Sequence, residues 1–245
     1  MKVVAIIPAK GDSKRLPRKN LLPMLGKPLP VWAIEAAKAS KKINRVIVST
    51  QDDEIAQMAR EAGAEVPYME PLEFAAKGGD IEGLLLYAVE WLRENENYVP
   101  DAVVLLQTTN PLRLASHLDE AIEQFEKSGS DSTIAVCKAL GNHNPHWMLV
   151  EDADRGALLF TGGELKNIPR RSDHLPTCYF RNDVVYVMKT SNFYQTPCNL
   201  YGDKVDLYKM EEIFDTDINT PEDWNVTEDK FKRFLLEEAE RGITP

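Results

Sequence analysis

The sequence predicts an α/β fold, with a Rossmann-like, mostly parallel and twisted sheet and helices on both of its faces. Three observations predict this class. Short apolar runs of strand length alternate with longer stretches of helical periodicity over the first 140 residues. The run 102–107 (AVVLLQ) is apolar over five successive residues, which is typical of a strand buried on both faces. A polar, basic loop follows the first apolar run, at the position where open sheets of this class bind ligands.

The predicted elements follow one another in a regular βαβα order. Strands are expected at 3–7, 45–50, 64–69, 102–107, 132–138 and 183–189, and helices at 30–40, 52–62, 80–95, 116–128 and 221–241. Asp52 or Asp53 suits the start of the second helix, and Gly63 follows its end. Pro221 suits the first turn of the last helix, and Gly242 suits its end.

The domain organisation is expected to be simple. The pattern becomes irregular from about Gly141, and the stretch 141–182 is rich in loops and polar residues. We interpret this stretch as an excursion that forms either a second wall of a cleft or a contact between subunits. The sequence contains no internal repeat, low-complexity tract or long linker. Residues 1–245 are therefore expected to form a single domain.

Composition excludes several classes of protein. The 245 residues include 29 basic and 39 acidic side chains, and this net charge of −10 argues against a nucleic-acid partner. No apolar stretch is long enough to predict a membrane span, and the first apolar run reads as a strand, not a secretion signal. The three cysteines are Cys137, Cys178 and Cys198, and without a close pair they predict neither a disulfide framework nor a zinc site. A cytoplasmic location is expected.

A basic loop after the first strand carries the main functional signal. Residues 10–20 read KGDSKRLPRKN, and five of the ten positions 10–19 are basic: Lys10, Lys14, Arg15, Arg18 and Lys19. Such a concentration of positive charge in an acidic protein indicates an anionic ligand, although a solvated surface loop is the alternative. Gly11 and Ser13 are small enough for backbone N–H groups to approach that anion closely.

The position of the loop between a strand and a helix indicates which kind of anion it binds. A strand that enters a basic loop and then a helix is a common way to hold a polyphosphate. Lys19 is the leading candidate for a phosphate contact, and Lys10 could take a second phosphate. The loop lacks the GK[ST] ending of an ATPase and the three spaced glycines of a dehydrogenase, so both classes are disfavoured.

Two further clusters could bind the rest of a ligand. Gln107 opens the segment QTTNPLR at the end of a predicted strand, where its amide groups could bind hydroxyl and amide groups of a ligand. The alternative is that the segment is only a helix-entry turn that contains Pro111. Arg113 could pair with a carboxylate or hold the loop. Two adjacent arginines at 170 and 171, followed by Arg181, could clamp a carboxylate bidentately or could be ordinary surface charge.

An acidic row precedes the last helix. Asp215, Asp217 and Asn219 are two residues apart, and on an extended segment such residues point the same way. Hard oxygen ligands suit Mg²⁺, which commonly bridges carboxylates and phosphates. Helix capping is the alternative, and it explains Thr220 and the acidic residues after it but not Asp215 or Asp217.

These clusters, in this order, resemble those of the acylneuraminate cytidylyltransferase family over nearly the whole chain. The segment 7–20 (IPAKGDSKRLPRKN) is similar to the family's signature loop, and 105–113 (LLQTTNPLR) is similar to its LLQPTSPLR segment. The segment 170–176 (RRSDHLP) is similar to RRQDLP with one residue extra, and 217–224 (DINTPEDW) is similar to DIDTPEDW.

The resemblance implies a fold of the nucleotide-diphospho-sugar transferase type and a CTP-dependent reaction with Mg²⁺. The anomeric hydroxyl of a 3-deoxy-2-keto sugar acid, a nonulosonate such as sialic, legionaminic or pseudaminic acid, would attack the α-phosphate of CTP and release pyrophosphate. The expected partners are CTP, the acidic sugar and a second copy of the chain in a homodimer.

The resemblance assigns a nucleotide contact to Lys19 and Asn20, a sugar contact to Gln107 and the metal to Asp217, and the residue patterns described above add further candidates. The nucleotide-binding residues would be Ala9, Lys10, Gly11, Ser13, Lys19 and Asn20, and the catalytic residues would be Lys10, Lys19 and Asp217. The sugar-binding residues would be Gln107, Arg170, Arg171 and Arg181, and the metal ligands would be Asp217, Asp215 and Asn219.

Four departures from the family pattern keep alternatives open. Lys10 stands where the family usually has Arg, Asn219 where it has a second Asp, and Asp183 where it has Gly. The segment 77–80 (KGGD) stands where the family commonly has a stretch rich in Ser and Thr. The alternatives are a cytidylyltransferase for another acceptor, such as another keto sugar acid or a phosphonate, and a nucleotide-binding homologue without turnover.

Overall fold

The computed structural model, which describes residues 1–71, 80–162 and 164–240, has a six-stranded central sheet. The strands are β1 (Val3–Pro8), β2 (Pro23–Met24), β3 (Lys27–Pro28), β4 (Arg45–Ser49), β5 (Ala102–Leu105), β6 (Ser132–Lys138), β7 (Leu149–Asp152), β8 (Gly156–Leu159), β9 (Tyr179–Lys189) and β10 (Val205–Met210). The order in the central sheet is β10-β6-β9-β5-β1-β4. Only β9 of these strands runs antiparallel to its neighbours, so the sheet is mostly parallel, as predicted.

Two of the helices begin where the sequence suggested, at a capping aspartate and at a first-turn proline. They are α1 (Leu29–Ala39), α2 (Asp53–Glu61), α3 (Ile81–Glu96), α4 (Ala115–Ser128) and α5 (Pro221–Glu240). The carboxylate of Asp52 accepts hydrogen bonds from the backbone N–H groups of Glu54 and Ile55 at the start of α2. Pro221 is the first residue of α5, whereas the proposed end at Gly242 lies outside the described residues.

The core consists of two layers, one on each face of the sheet. Along β1 the buried side chains alternate, so that Val3, Ala5 and Ile7 belong to one layer and Val4 and Ile6 to the other. Helices α1, α2, α4 and α5 cover the first layer, and α3 covers the second. Burial on both faces requires apolar residues at every position, which explains the continuous apolar run of β5.

One predicted strand is wrong and others were missed. The stretch 64–69 is not a strand of the sheet, because it makes only an isolated bridge between Glu65 and Ile47 at the edge beside β4. Pro67 lacks a backbone N–H and cannot extend that pairing. The edge strand β10 was missed because its side chains are only partly buried and lack a clear alternation. Strand β9 begins at Tyr179, earlier than the predicted residue 183.

The irregular stretch 141–182 contains the two-stranded β7–β8 hairpin and short 3-10 segments. The buried Asn144 amide donates a hydrogen bond to the Pro176 carbonyl at 2.9 Å, and the Trp147 indole donates one to the Pro169 carbonyl at 2.6 Å. These bonds tie the two sides of the excursion together. Within the described ranges, no helix combines the length and apolar character of a membrane span.

The free energy of unfolding is expected to fall more for Gly202→Ala than for Gly129→Ala. Both glycines have positive φ, 69° and 59°, a conformation that costs a residue with a Cβ about 1–2 kcal/mol. A Cβ at Gly202 would also lie 2.3 Å from the Cβ of Asp131, whereas nothing lies within 4 Å of one at Gly129. The extra overpacking should cost Gly202→Ala at least about 1 kcal/mol more. Urea unfolding of both variants measures the difference, and equal losses would contradict the steric argument.

Candidate functional site

A cleft of about 450 Å³ opens at the carboxyl ends of β1 and β5. The basic loop after β1 and the segment after β5 supply most of its lining, which also includes Glu70, Ile81, Leu84 and Asn219. Open α/β sheets bind ligands at this edge, and the volume lies in the usual range for a small-molecule site. Among the residues that the sequence singled out, Ala9, Lys10, Ser13, Lys19, Asn20 and Gln107 line this cleft together.

Lys19 is held in the cleft by the backbone around it. It begins the 3-10 segment Lys19–Leu21, directly after Arg18, whose φ of 57° turns the chain sharply. The ammonium is buried and donates a hydrogen bond from Nζ to the carbonyl of Ile218 at 2.6 Å. Burial lowers the pKa of Lys19 to about 8, although the nearby Asp217 carboxylate acts in the opposite direction. A partly desolvated cation of this kind is well suited to attract an anionic ligand.

Asn20 connects the loop after β1 to the segment after β5. Its Nδ2 donates a hydrogen bond to the Lys10 carbonyl at 2.8 Å, and its Oδ1 accepts one from the Thr108 hydroxyl at 2.8 Å. The side chain is buried, so both ends of its amide fix the shape of the cleft. Contact between Asn20 and a nucleotide remains a prediction.

Gly11 has a packing role that the sequence did not suggest. An added Cβ would lie 2.1 Å from Oδ2 of Asp52, so the absence of a side chain lets the loop pack on the residue that caps α2. Arg18 forms ion pairs with Asp52 and Glu54 at the same point. Gly11 does not belong to the lining of the cleft in the described residues, unlike Lys10 before it and Asp12 and Ser13 after it.

The acidic row divides between two pockets. Asp215 and Asp217 line a pocket of about 330 Å³ with Arg181 and Asp183, whereas Asn219 lines the main cleft. Burial raises the pKa of the half-buried Asp215. The described residues contain no group of three or more His, Cys, Asp or Glu side chains that could hold a metal ion by themselves.

The amide of Asn219 lies between a basic and an acidic residue. Its Oδ1 accepts a hydrogen bond from Nη2 of Arg15 at 2.6 Å, and its Nδ2 donates one to the Asp217 carboxylate. The predicted row of three aligned oxygens is therefore not what the structure places there. Asn219 instead connects the basic loop to Asp217, and the role of all three residues as metal ligands remains a prediction.

A second pocket of about 360 Å³ adjoins the main cleft, and Gln107 and Ile81 line both of them. Nη1 of Arg181 donates a hydrogen bond to the Tyr201 hydroxyl at 2.7 Å, which orients the guanidinium in this pocket. Gln107 thus lies between a basic cleft and a pocket that holds an exposed arginine, and the role of both residues in sugar binding remains a prediction.

Arg170 and Arg171 lie elsewhere, since neither belongs to the described lining of these three pockets. Both are exposed residues of the excursion, and Arg171 pairs with Asp173. Asp173 lines a separate pocket of about 570 Å³ between the excursion and the end of β6. Their role in substrate binding remains a prediction that the described geometry does not support.

Arg113 holds the loop, which was one of its two proposed roles. Its buried Nη2 donates hydrogen bonds to the carbonyls of Gln107 at 2.7 Å and Asp183 at 3.3 Å. Burial lowers the pKa of Arg113 to about 9, and the charge of Asp183 acts in the opposite direction. Arg113 therefore joins the end of β5 to β9, and so joins two walls of the adjoining pockets.

Sequence reasoning missed some residues of the site. Glu70 lines the main cleft, and Tyr186 and Tyr201 line the second pocket. The one available signal for Glu70 was an acidic residue directly after an apolar run. Tyr201 belongs to the segment 201–204 (YGDK), which is similar to part of the closing region of the resembled family, but only the fold brings its hydroxyl to Arg181.

The family model and two of the relatives that match this chain are cytidylyltransferases. A family model described as cytidylyltransferase matches residues 4–241. The chain is 31% identical over 242 residues to N-acylneuraminate cytidylyltransferase A of Danio rerio, with 95% of the chain and 51% of that relative covered. It is 36% identical over 136 residues to the pseudaminic acid cytidylyltransferase of Campylobacter jejuni, with 56% of the chain and 58% of that relative covered. The chain thus spans about half the length of the Danio rerio relative, and the match to the Campylobacter jejuni relative covers little more than half of either chain.

A further relative and a solved structure match over most of their length. The CMP-N,N'-diacetyllegionaminic acid synthase of Legionella pneumophila is 28% identical over 229 residues, with 93% of the chain and 95% of that relative covered. A CMP-2-keto-3-deoxy-manno-octonic acid synthetase, solved in complex with CTP, superimposes with a TM-score of 0.72 at 17% identity, with 96% of this chain and all of that chain covered. The predicted nucleotide-diphospho-sugar transferase type of fold is confirmed.

Between pH 7 and 10.5, the free energy of unfolding of the wild type is expected to rise relative to that of Lys19→Met, by about 1–3 kcal/mol. The folded pKa of about 8 lies below the ordinary 10.5, so the unfolded chain binds this proton more tightly. Burying the charged Lys19 ammonium therefore lowers the free energy of unfolding by its full amount below about pH 8, and this penalty is lost as the pH rises toward 10.5. Urea unfolding between pH 7 and 10.5 measures this, with the exposed Lys14→Met as control. A difference between the two proteins that does not change with pH would contradict the argument.

Proposed function

Since the chain belongs to the cytidylyltransferase family, we propose that it transfers a cytidylyl group from CTP to the anomeric hydroxyl of a 3-deoxy-2-keto sugar acid. A nonulosonate such as sialic, legionaminic or pseudaminic acid is the proposed acceptor class. One observation carries the proposal: a basic cleft with a buried lysine adjoins, through Gln107, a pocket that presents Arg181. These are complementary features for a polyphosphate and for a carboxylate.

The basic loop would bind the triphosphate. Lys19 would approach the phosphates as a partly desolvated cation, and Lys10 and Arg15 line the same cleft. The backbone at Ala9 and Ser13 would lie against the nucleotide, while Asn20 keeps the loop in place through Lys10 and Thr108. Catalysis of this kind consists of positioning and charge neutralisation and needs no covalent nucleophile.

The second pocket would bind the sugar acid. The carboxylate would pair with Arg181, whose guanidinium is oriented by Tyr201, and Gln107 would bind a hydroxyl at the junction with the main cleft. The anomeric oxygen then forms a bond to the α-phosphorus as the bond from that phosphorus to the bridging oxygen breaks. Pyrophosphate leaves with those electrons, and the hydroxyl proton passes to solvent.

A divalent cation fits the acidic segment. Asp215 and Asp217 line one pocket, and burial and the Asp217 charge both raise the pKa of Asp215, a strain that a cation would relieve. Mg²⁺ is usually held by only one or two carboxylates together with substrate phosphates, so a complete protein cage is unnecessary. Bound there, the ion would neutralise charge on the phosphates. Asn219 would act through Asp217 and Arg15 in the arrangement observed.

The excursion at 141–182 is proposed as a contact between two copies of the chain. It exposes large apolar side chains that lack cover in the described structure: Met148, Leu149, Val150, Phe160 and Leu165, with Leu140 directly before it. Exposed apolar surface of this kind is typical of interaction sites. This role is preferred over a cleft wall because Arg170 and Arg171 lie away from the cleft, and Arg181, which lines the second pocket, belongs to β9.

The proposed reaction is expected to release pyrophosphate from CTP in preference to ATP, GTP and UTP, and only with a divalent cation. The assay combines each nucleotide with sialic, legionaminic and pseudaminic acid, other keto sugar acids and a phosphonate, with and without excess chelator. Turnover only with another acceptor would replace the nonulosonate assignment. Tight binding of CTP without turnover would favour a binding protein, and equal turnover with ATP would reject the proposal.

The Mg²⁺ concentration for half-maximal rate is expected to rise at least about tenfold in Asp217→Asn, because the amide offers an oxygen without charge. Asp215→Asn should have a smaller effect, since Asp215 lies deeper and is partly neutralised by Lys230. The exposed Glu222→Gln, in the first turn of α5, removes a nearby charge and serves as the control. An unchanged Mg²⁺ curve in Asp217→Asn would place the cation elsewhere.

Sedimentation equilibrium is expected to show a dimer that dissociates in Phe160→Glu. Phe160 is 62% exposed, and a charge buried in an apolar interface costs several kcal/mol in binding. Leu236→Glu, at the similarly exposed Leu236 of α5, is the matched control and should leave the dimer intact. A wild-type monomer, or equal effects of both variants, would reject the excursion as the contact.

A further inference from the structure

A buried carboxylate in the main cleft has no role in the reaction as described so far. Glu70 is 7% exposed and lines the cleft together with the basic loop. Its Oε2 accepts a hydrogen bond from the Ser49 hydroxyl at 3.1 Å, and its backbone N–H donates one to the Thr50 carbonyl at 2.8 Å. The side chain is therefore fixed at the end of β4, on the opposite side of β1 from β5.

The position of Glu70 excludes the phosphates as its target. Burial raises the pKa of Glu70, and the Ser49 hydrogen bond partly offsets that effect, so the site already disfavours additional negative charge. A polyphosphate next to this carboxylate would add strong repulsion at low dielectric. Of the loop cations, Lys10 acts on Glu70 and partly offsets this repulsion, whereas Lys19 is tied to Ile218 beside the segment after β5, away from β4. Glu70 therefore faces the nucleoside part of the ligand.

The rest of the lining favours the base over the ribose. Ile81 and Leu84, in the first turn of α3, bring apolar side chains to this cleft, as the flat face of a base requires. An ionised carboxylate only accepts hydrogen bonds. Cytosine presents an amino group at its 4-position, whereas uracil presents a carbonyl oxygen there, which a carboxylate repels.

We propose that Glu70 accepts a hydrogen bond from the exocyclic amino group of the nucleobase and so selects cytosine over uracil. Ser49 holds one carboxylate oxygen, and the other receives the amino group. This inference rests on the proposed function, which supplies the nucleotide, and adds to it the residue that distinguishes the base.

The wild-type protein provides a first test without any substitution. The probes are CTP, UTP and the triphosphate of 2-pyrimidinone riboside, which lacks the 4-amino group but adds no bulk, and titration calorimetry gives each Kd. The analogue should bind at least about tenfold more weakly than CTP, and UTP should bind about 100-fold more weakly. Equal affinity of CTP and the analogue would overturn the inference.

Glu70→Gln provides the second test, because glutamine keeps the shape but presents an NH₂ group as well as an oxygen. The ratio of kcat/KM for CTP to that for UTP should fall by at least about tenfold, since the amide can donate to the uracil oxygen. Asp12→Asn is the matched control: it removes a negative charge from the same cleft, but Asp12 is exposed. That variant should keep the wild-type ratio of CTP to UTP.

The outcomes separate the inference from the function on which it rests. If the wild type neither binds nor uses any nucleoside triphosphate, both proposals fall. If it uses CTP but Glu70→Gln keeps the wild-type ratio, only the inference falls. If Glu70→Gln instead loses discrimination against 2'-deoxy-CTP or 3'-deoxy-CTP, the carboxylate binds the ribose and the assignment to the base is overturned. Thermal melting shows whether the variants fold. If Glu70→Gln does not fold, binding of the 2-pyrimidinone nucleotide to the wild type decides whether the protein recognises the 4-amino group.

Discussion

The hydrogen bond from the Lys19 ammonium to the Ile218 carbonyl is the interaction on which the site depends. It joins two residues separated by 199 positions and closes the basic loop against the segment that precedes α5. The Ile218 N–H donates a second hydrogen bond to the Thr109 carbonyl at 3.0 Å, and Asn20 joins Thr108 to Lys10. Three segments that are distant in sequence are thereby held at the carboxyl edge of the sheet.

The same network explains why the cleft and its neighbouring pockets adjoin. Arg113 spans from Gln107 to Asp183, so the segment after β5 cannot move away from β9 without leaving a buried guanidinium unpaired. Asp183 has a φ of 59°, a strained conformation for a residue with a side chain, at a position where the resembled family has glycine. The carboxylate of Asp183 accepts a hydrogen bond from Tyr186 and acts on Arg113, which offsets part of that strain.

The features that could be predicted from the sequence are those that depend on local residue pattern and on charge density. The strands β1, β5 and β6 follow from apolar runs, and the cleft follows from the basic loop at the end of β1. Contacts between distant segments could not be predicted in this way. The two-residue spacing suggested three aligned oxygens, but Arg15 lies close enough to turn the Asn219 amide away. The two adjacent arginines at 170 and 171 suggested a carboxylate clamp, whereas the fold places them on the excursion. Glu70 carried no motif, and only its burial beside Ser49 distinguishes it.

The neutral side chain at 219 has a consequence for the whole charge balance of the cleft. Lys19 keeps a low pKa because burial outweighs the attraction of Asp217, while Lys10 and Arg15 act in the same direction as burial. An aspartate at 219 would have placed a second negative charge beside this group, raised the pKa of Lys19 and paired with Arg15. With asparagine there, the cations of the loop remain incompletely neutralised within the protein. The unfavourable free energy of that excess charge is relieved when an anion binds, so the departure from the family pattern strengthens the attraction for a polyphosphate.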